Sequence, residues 1–461
     1  MGNIELEVRK IDNLYRAWSV VRSNVNTSGH DKFKAEVKRI SENPIPHLRR
    51  IQSDLQHRRF VFDGQQGVVK KKSSGGKRPI VVAPINNRIV QRAILNVLQC
   101  DDDRIASQLG MIGTALRTPT SVGGIPRRGV AYGIEIVTEA IKSGATHYLR
   151  SDIRDFFTTV PKPRVIQFVQ QQTTDEDFVA LFEQAMTTEL ANADEVKDYL
   201  YLFPLADIGI PQGSSLSAFA GNVVLRNFDA QLNGRNITTV RYIDDFVILG
   251  PTERAVKKAF CSAVSILGDL GMTAYSPDEN REKSKLGAIA DGFDFLGCSV
   301  RINGVAPSRK ARQNLLDDIR HTLSIGGHTV EKYASSGERR RAEEAFAQII
   351  CSVDRKIRGW GDAFSFSNDR LPFDQMDERI DCLLLEFKGR ANSVIRKACS
   401  DGKRRALGVA LLKDTPKEEK APPVQIDQSP DSYRSGRNSE SDGLHCDLHR
   451  QNKQGVPIVG G

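Results

Sequence analysis

The sequence predicts an α+β protein: antiparallel strands with helices packed on them, followed by a part that is helical alone. Three observations carry that expectation. Short β-branched and aromatic runs come in pairs around turns, at 61–84 and again at 238–249. Between them Ile89, Val90, Ala93, Ile94, Val97 and Leu98 recur at helical spacing. From Pro307 onward only helical periodicity remains, with Leu315, Leu316, Ile319 and Leu323 forming one apolar stripe.

Taken in order, residues 1–60 alternate helix-like segments with polar breaks, one of them over 24–31. Val61-Phe62 and Gly67-Val68-Val69, then Ile80-Val81-Val82, flank a Ser73-Ser74-Gly75-Gly76 turn. This is a hairpin signature in which Gly supplies the positive φ. Lys70, Lys71, Lys72, Lys77 and Arg78 cluster around it. On the helix that follows, Arg88 and Arg92 stand four apart and share a second face. A Gly- and Pro-rich stretch over 110–133 leads to a helix over 134–143, and a strand through His147-Tyr148-Leu149-Arg150 runs into Asp152. Leu216, Phe219, Val223 and Val224 predict a helix over 213–232, opened by a Pro211-Gln212-Gly213 turn. Residues 238–249 read as two strands joined by a tight acidic turn at Asp244-Asp245. A helix over 256–270 and a strand pair over 293–302 follow. Arg309, Lys310, Arg312 and Arg320 decorate the helix after Pro307, and further helices are expected over 338–364 and 374–400. The stretch 413–461 is polar and rich in Pro, Ser, Gly, Asp and Lys, the composition of a disordered tail.

At 461 residues the chain has room for two or three domains. Its 39% hydrophobic and 27% charged residues are ordinary for a soluble globular protein. A net charge of +9 makes a polyanion such as nucleic acid the first partner to consider. Seven cysteines, none in a Cys-x-x-Cys pair, argue against a zinc finger or a disulfide framework and suit a reducing cytoplasm. The N-terminus lacks the apolar core of a signal peptide, and no run of about 18 apolar residues occurs, so no membrane association is expected.

The chemistry points to three carboxylates. Asp152 ends a predicted strand, and Asp244-Asp245 occupy a predicted strand-turn-strand. Crowded carboxylates repel unless something positive offsets them, and divalent cations do so. An Asp-Asp pair in a turn is by itself an ordinary solvated feature. Its weight comes from the order of the segments around it.

Those segments resemble the reverse transcriptases. Ser151-Asp152-Ile153-Arg154-Asp155-Phe156-Phe157 resembles their first palm motif, Gly209-Ile210-Pro211-Gln212-Gly213-Ser214-Ser215-Leu216-Ser217 their second, and Arg241-Tyr242-Ile243-Asp244-Asp245 their YxDD box. Phe293-Asp294-Phe295-Leu296-Gly297 resembles the primer grip. Gly75-Gly76-Lys77-Arg78-Pro79 with Arg88-Ile89-Val90-Gln91-Arg92 resembles the fingers, and Ile357-Arg358-Gly359-Trp360-Gly361 the maturase-like thumb, of the bacterial group II intron-like, retron and defence-associated branch. One departure stands at Ala218, where the family usually has Pro.

The resemblance implies a right-hand polymerase: fingers with an N-terminal extension over 1–145, palm over 146–304, helical thumb over 305–400, tail over 401–461. It implies two Mg²⁺ ions, with Mn²⁺ able to substitute, held by Asp152 and Asp244, with Asp245 assisting and the Ile153 carbonyl facing a metal. Lys77 and Arg78 would hold the triphosphate, while Lys70, Lys71 and Lys72 would face solvent or template. Asp155 would line the nucleotide pocket, and Phe157 would exclude a 2′-OH so that dNTPs are preferred, with Phe156 packing beside it. Gln212 and Gly213 would lie against base and template, and Gly297 against the primer. Arg88 and Arg92 would face the template backbone, and Arg309, Lys310 and Arg312 would contact phosphates. Lys283 or Lys285 would act as general acid, and Trp360 would be a thumb core residue. The partners would be an RNA template, a DNA or RNA primer, dNTPs and a dedicated non-coding or intron RNA.

Two alternatives stay open: an RNA-directed RNA polymerase, and a maturase-type RNA-binding splicing factor. Phe157 speaks against the first, and the intact Asp152, Asp244, Asp245, Lys77 and Arg78 against a decayed site. For biological role, no Cys pairs or nuclease-like cluster follow the thumb, and the second motif is unusual at Ala218. These features lean toward bacterial antiviral defence.

Overall fold

The structure is a computed structural model that describes residues 4–27, 33–71, 76–115, 118–234, 236–335, 346–407 and 411–412. The chain divides into Met1–Ala410 and Leu411–Gly461; only two residues of the second unit are described. The expected tail over 413–461, residues 338–345 of the helix expected over 338–364, and the hairpin residues Lys72, Ser73, Ser74 and Gly75 lie outside the described residues. Residues 401–407, assigned to the tail, belong instead to the helix Ser400–Leu407.

Among the described residues, nine strands form three antiparallel sheets. β1 (Gln66–Lys71) and β2 (Lys77–Val82) make a hairpin. β3 (His147–Asp152), β4 (Thr238–Tyr242), β5 (Asp245–Gly250) and β6 (Lys285–Ala288) form the central sheet in the order β4-β5-β3-β6. β7 (Phe293–Phe295), β8 (Cys298–Arg301) and β9 (Gly304–Pro307) form a small meander. The α+β class expected from the sequence is thus observed.

Side-chain alternation along strands decides where the central sheet buries its two faces. Leu149, Phe246 and Ile248 belong to one core with the helix Glu253–Gly268 and the N-terminal helices. Tyr148, Val247 and Leu249 belong to a second core, shared with the helix Val130–Lys142 and with Phe293, Phe295 and Val300 of the meander. Both faces are covered, which explains why β5 reads as a continuous apolar run, Phe246 to Leu249. The C-terminal helices Arg309–Ser335, Phe346–Ala363, Leu371–Lys397 and Ser400–Leu407 share a third core around Leu316, Ile319, Val353 and Ile380. Trp360 packs at its edge against Phe364 and Phe373, a core role as expected.

Several element boundaries differ from expectation. Val61-Phe62 is not part of the hairpin: Val61 is 71% exposed, and pairing begins at Gln66, opposite Val82. The segment ahead of β1 is tied elsewhere, since Asn87 bonds Asp63 at both backbone groups. The helix expected over 213–232 breaks at Leu225 into Ser217–Val224 and Arg226–Gln231. Of the break expected over 24–31, residues 24–27 belong to the helix Ile11–Thr27, and 28–31 lie outside the described residues. β9 was not expected.

Candidate active site

Register brings the first two carboxylates together. In the β3–β5 ladder Asp152 stands directly opposite Asp245, so both side chains lie on the same face of the sheet. Asp244 sits in the two-residue turn between β4 and β5, closed by the Tyr242↔Asp245 pair. The turn is strained: Ile243 has φ 60°, where a primed hairpin turn would favour Gly and a β-branched side chain is disfavoured. Three contacts hold it. Ile153 N–H donates to the Asp244 carbonyl at 2.9 Å, Arg241 Nη1 donates to the Ile243 carbonyl at 2.9 Å, and Gly123 lies so close that a Cβ there would stand 2.7 Å from Ile243 Cγ1.

Burial and crowding set the electrostatics of the carboxylates. Burial, then the neighbouring Asp152, raises the Asp244 carboxyl above the usual range. Burial pushes Asp245 up to about 7, opposed by Arg150 and reinforced by Asp152 and Asp244. Lys283 Nζ stands 2.5 Å from Asp152 Oδ2, and that hydrogen bond raises the lysine. The structure therefore separates the two lysines that the sequence left open. Lys283 reaches the carboxylates, whereas Lys285 is exposed on β6, paired across to Arg150. The loop carrying Lys283 is stitched to β3: Tyr275 N–H donates to the Asp152 carbonyl and Ser151 Oγ to the Tyr275 carbonyl.

Among the described residues no group of three or more His, Cys, Asp or Glu forms a ready metal cage. Asp152 and Asp244 nonetheless suit a divalent cation, since Asp152 disfavours the charge on Asp244 and hard oxygen donors match such ions.

Around the carboxylates, Asp155 adopts the left-handed conformation (φ 42°) at the start of the short helix Phe156–Thr159. Phe156 is buried, and its ring stands edge-on to the half-buried Phe157 at 5.3 Å. The Phe157 carbonyl accepts from Ile210 N–H at 2.6 Å, tying this helix to the segment before Gln212. Gln212 in turn accepts from Val81 N–H at its carbonyl, and Gly213 (φ 122°) lies where a Cβ would stand 2.7 Å from the Val81 oxygen. No other residue fits there without moving β2. The Ala218 departure leaves the helix Ser217–Val224 intact.

The hairpin sets the two expected triphosphate cations apart. Lys77 and Arg78 are adjacent in β2 and so point to opposite faces. Lys77 shares its face with Val81, which packs on Val196 and Phe203, and its Nζ sits 3.6 Å from the centre of the Tyr199 ring. Arg78 is the hairpin cation felt by Asp244, and its cross-strand neighbour on that face is Lys70. Lys77 and Arg78 thus lie on different faces of the hairpin, and of the two Arg78 is the one that acts on Asp244.

The remaining expected contacts spread outward. Arg88 is half-buried, donates to the Ala83 carbonyl at 2.7 Å and covers the Phe33 ring. Arg92 bonds Asn96. Both guanidinium groups brace their own surroundings. Gly297 is exposed at φ 78°, and its carbonyl accepts from Ser308 N–H, placing it beside the exposed Arg309 and Lys310. Arg312 is half-buried. Sequence reasoning did not find Arg241, which is fully buried beneath the turn; nothing in a lone Arg before Tyr242 signals burial.

Comparison with known proteins gives a family match over residues 69–300, half of the chain, to "Reverse transcriptase (RNA-dependent DNA polymerase)". Protein YkfC of Escherichia coli strain K12 is 25% identical over 291 residues, covering 52% of this chain and 70% of that protein. The uncharacterized 91 kDa protein in cob intron of Schizosaccharomyces pombe is 25% identical over 185 residues, covering 40% of this chain and 21% of that protein, so the chain spans about a fifth of this relative. Among solved structures, telomerase from Candida albicans with a TWJ fragment of telomeric RNA aligns at TM-score 0.40 and 10% identity, covering 76% of this chain and 62% of that one.

Proposed function

This chain belongs to the reverse transcriptase (RNA-dependent DNA polymerase) family, and on that premise we propose that it copies RNA into DNA by adding dNTPs to a DNA or RNA primer. The observation that carries the reading is the meeting of Asp152, Asp244 and Asp245 at one end of the central sheet, with Lys283 beside them and Arg78 facing them.

Asp152 and Asp244, with the Ile153 carbonyl and with Asp245 assisting, would hold two Mg²⁺ ions (or Mn²⁺), which when bound activate the primer 3′-OH and stabilise the departing pyrophosphate. The chain's own residues do the remainder. Arg78, seconded by Lys70, holds the triphosphate, and Lys77 braces the hairpin through Tyr199. Asp155 and the Phe157 ring bound the sugar, and Phe157 rejects a 2′-OH. Gln212 and Gly213 carry the base and template against β2. Lys283, kept protonated by its acidic neighbour, gives a proton to the leaving pyrophosphate. Gly297 supports the primer end, and Arg309, Lys310 and Arg312 meet backbone phosphates. Arg88 and Arg92 face the template backbone from the helix Ile85–Leu98.

For biological role we propose antiviral defence in the cytoplasm, on a dedicated RNA; the departure at Ala218 supports it. The likeness to a protein within a cob intron favours a second reading, an intron-encoded enzyme that also assists splicing. Among the described residues no helix is long and apolar enough to cross a membrane.

The test is primer extension on an RNA template with dNTPs and Mg²⁺, run beside Asp244→Asn, together with sequencing of co-purifying nucleic acid. cDNA made only by the unaltered protein is the expected result, and its sequence separates a defence RNA from an intron. An unaltered protein that extends no primer overturns the reading.

A further inference from the structure

Arg241 is the feature that the proposed chemistry leaves unused. It is 0% exposed, although Arg is almost never fully buried unless paired. In β4 it stands opposite Phe246, on the helix-covered face of the sheet, so it approaches the acidic turn from the side opposite to Asp152 and Asp245. Its donors are all engaged with separate parts of the fold. Nε and Nη2 grip Asp229 of the helix Arg226–Gln231 at 2.7 and 2.6 Å. Nη2 also meets Ser121 Oγ at 2.7 Å and Asn222 Oδ1 of the helix Ser217–Val224 at 3.0 Å. Nη1 alone points onward, to the Ile243 carbonyl at 2.9 Å.

A buried ion pair is weak evidence for stability, because replacing both partners by apolar groups of similar volume is often neutral or stabilising. What such a replacement could not reproduce is the Nη1 bond. That bond acts on the strained residue of the turn: Ile243 at φ 60° keeps its conformation only while its surroundings hold it. The segment around Ser121 is bound to the same strand, since Val122 N–H donates to the Arg241 carbonyl and Arg241 N–H to that of Thr120. Gly123 then closes on Ile243 from outside.

We propose that Arg241, locked by Asp229, is a positioning residue for the polymerase site: it pins the Ile243 carbonyl and thereby sets where the Asp244 carboxylate stands. This rests on the polymerase reading above. The bidentate grip on Asp229 spends the guanidinium charge inside the sheet, and the one remaining amino group is left to orient the turn. Arg241 touches neither substrate nor metal. It acts through the backbone of Ile243.

The test uses the full chain with Arg241→Lys and with the double change Arg241→Met/Asp229→Leu, which removes the bond without leaving a lone buried charge. Two readouts are taken: the single-turnover rate of dNTP addition, and Mn²⁺ binding to the protein alone by electron paramagnetic resonance. A group that orients metal ligands from behind is worth about 10- to 100-fold in metal affinity or activity, so both readouts should weaken by roughly that factor in the double variant, with KM for dNTP within about twofold. Arg241→Lys keeps the charge and cannot span both Asp229 and Ile243, so it should lose Mn²⁺ affinity as well. A folded double variant with unaltered rate and unaltered Mn²⁺ binding overturns the proposal; should that variant not fold, Arg241→Lys with unaltered Mn²⁺ binding does so. An unaltered protein without polymerase activity would sink the functional reading instead, and the Mn²⁺ comparison would still report on the turn.

Discussion

Replacing Asp245 by Asn is expected to stabilise the metal-free protein above pH 7 and to change little near pH 4. Burial raises this carboxyl from 3.8 to about 7, with Asp152 and Asp244 adding repulsion. A pKa raised in the folded state means that the native protein holds a proton which the unfolded chain releases at lower pH. The contribution is therefore fully present below the unfolded value, fades as pH rises from about 4, and is gone once pH passes about 7. A rise of that size corresponds to about 4 kcal/mol at most, and relaxation around a half-buried group brings the expected loss to about 2–4 kcal/mol. Asn keeps the shape and never ionises, so it escapes that loss. Urea unfolding of both proteins in EDTA, from pH 4.5 to 8, measures the gap between them. It should open with rising pH in favour of Asp245→Asn, then narrow when Mg²⁺ is added, because a cation favours the ionised carboxylate. A gap that does not vary with pH, or that moves the other way, would refute the account of Asp245 as a carboxyl raised by burial among like charges.

Other outcomes follow from the geometry. Arg78→Ala should raise KM for dNTP about 10- to 100-fold, the worth of a charged hydrogen bond, and Lys77→Ala much less; equal effects in steady-state extension would contradict the strand-parity assignment. Phe157→Val should let NTPs compete about 10- to 100-fold better against dNTPs in single-nucleotide incorporation, with the unaltered preference as the opposing result. Gly221→Ala would place a Cβ 2.6 Å from Phe156 Cζ, and urea titration should show about 1–3 kcal/mol of destabilisation from that overpacking. Lys283→Ala should slow single-turnover addition at neutral pH without weakening dNTP binding, provided that its proton goes to pyrophosphate.

Much of the site was legible because its residues stand at the ends of strongly patterned strands. Short β-branched and aromatic runs placed Asp152 at the end of β3 and Asp244-Asp245 between β4 and β5, and those elements form where expected. The helix after Gln212 and the apolar stripe around Leu316 were equally visible, since local periodicity records which side chains face a core. The limits of the hairpin were less visible. Val61-Phe62 has strand-like residues and no strand partner, because pairing depends on what lies across from it.

By itself, then, the sequence determined the α+β class and most strand and helix sites, which are properties of short windows of chain, and the order of its motifs singled out Asp152, Asp244 and Asp245 as candidates. Tertiary structure alone decided which lysine meets Asp152, which hairpin cation faces Asp244, and that Arg241 is buried. Each of those depends on groups far apart in sequence: 131 residues separate Lys283 from Asp152, and 120 separate Arg241 from Ser121. Residue spacing sets a side chain's direction within its own element. Only packing sets what it meets there.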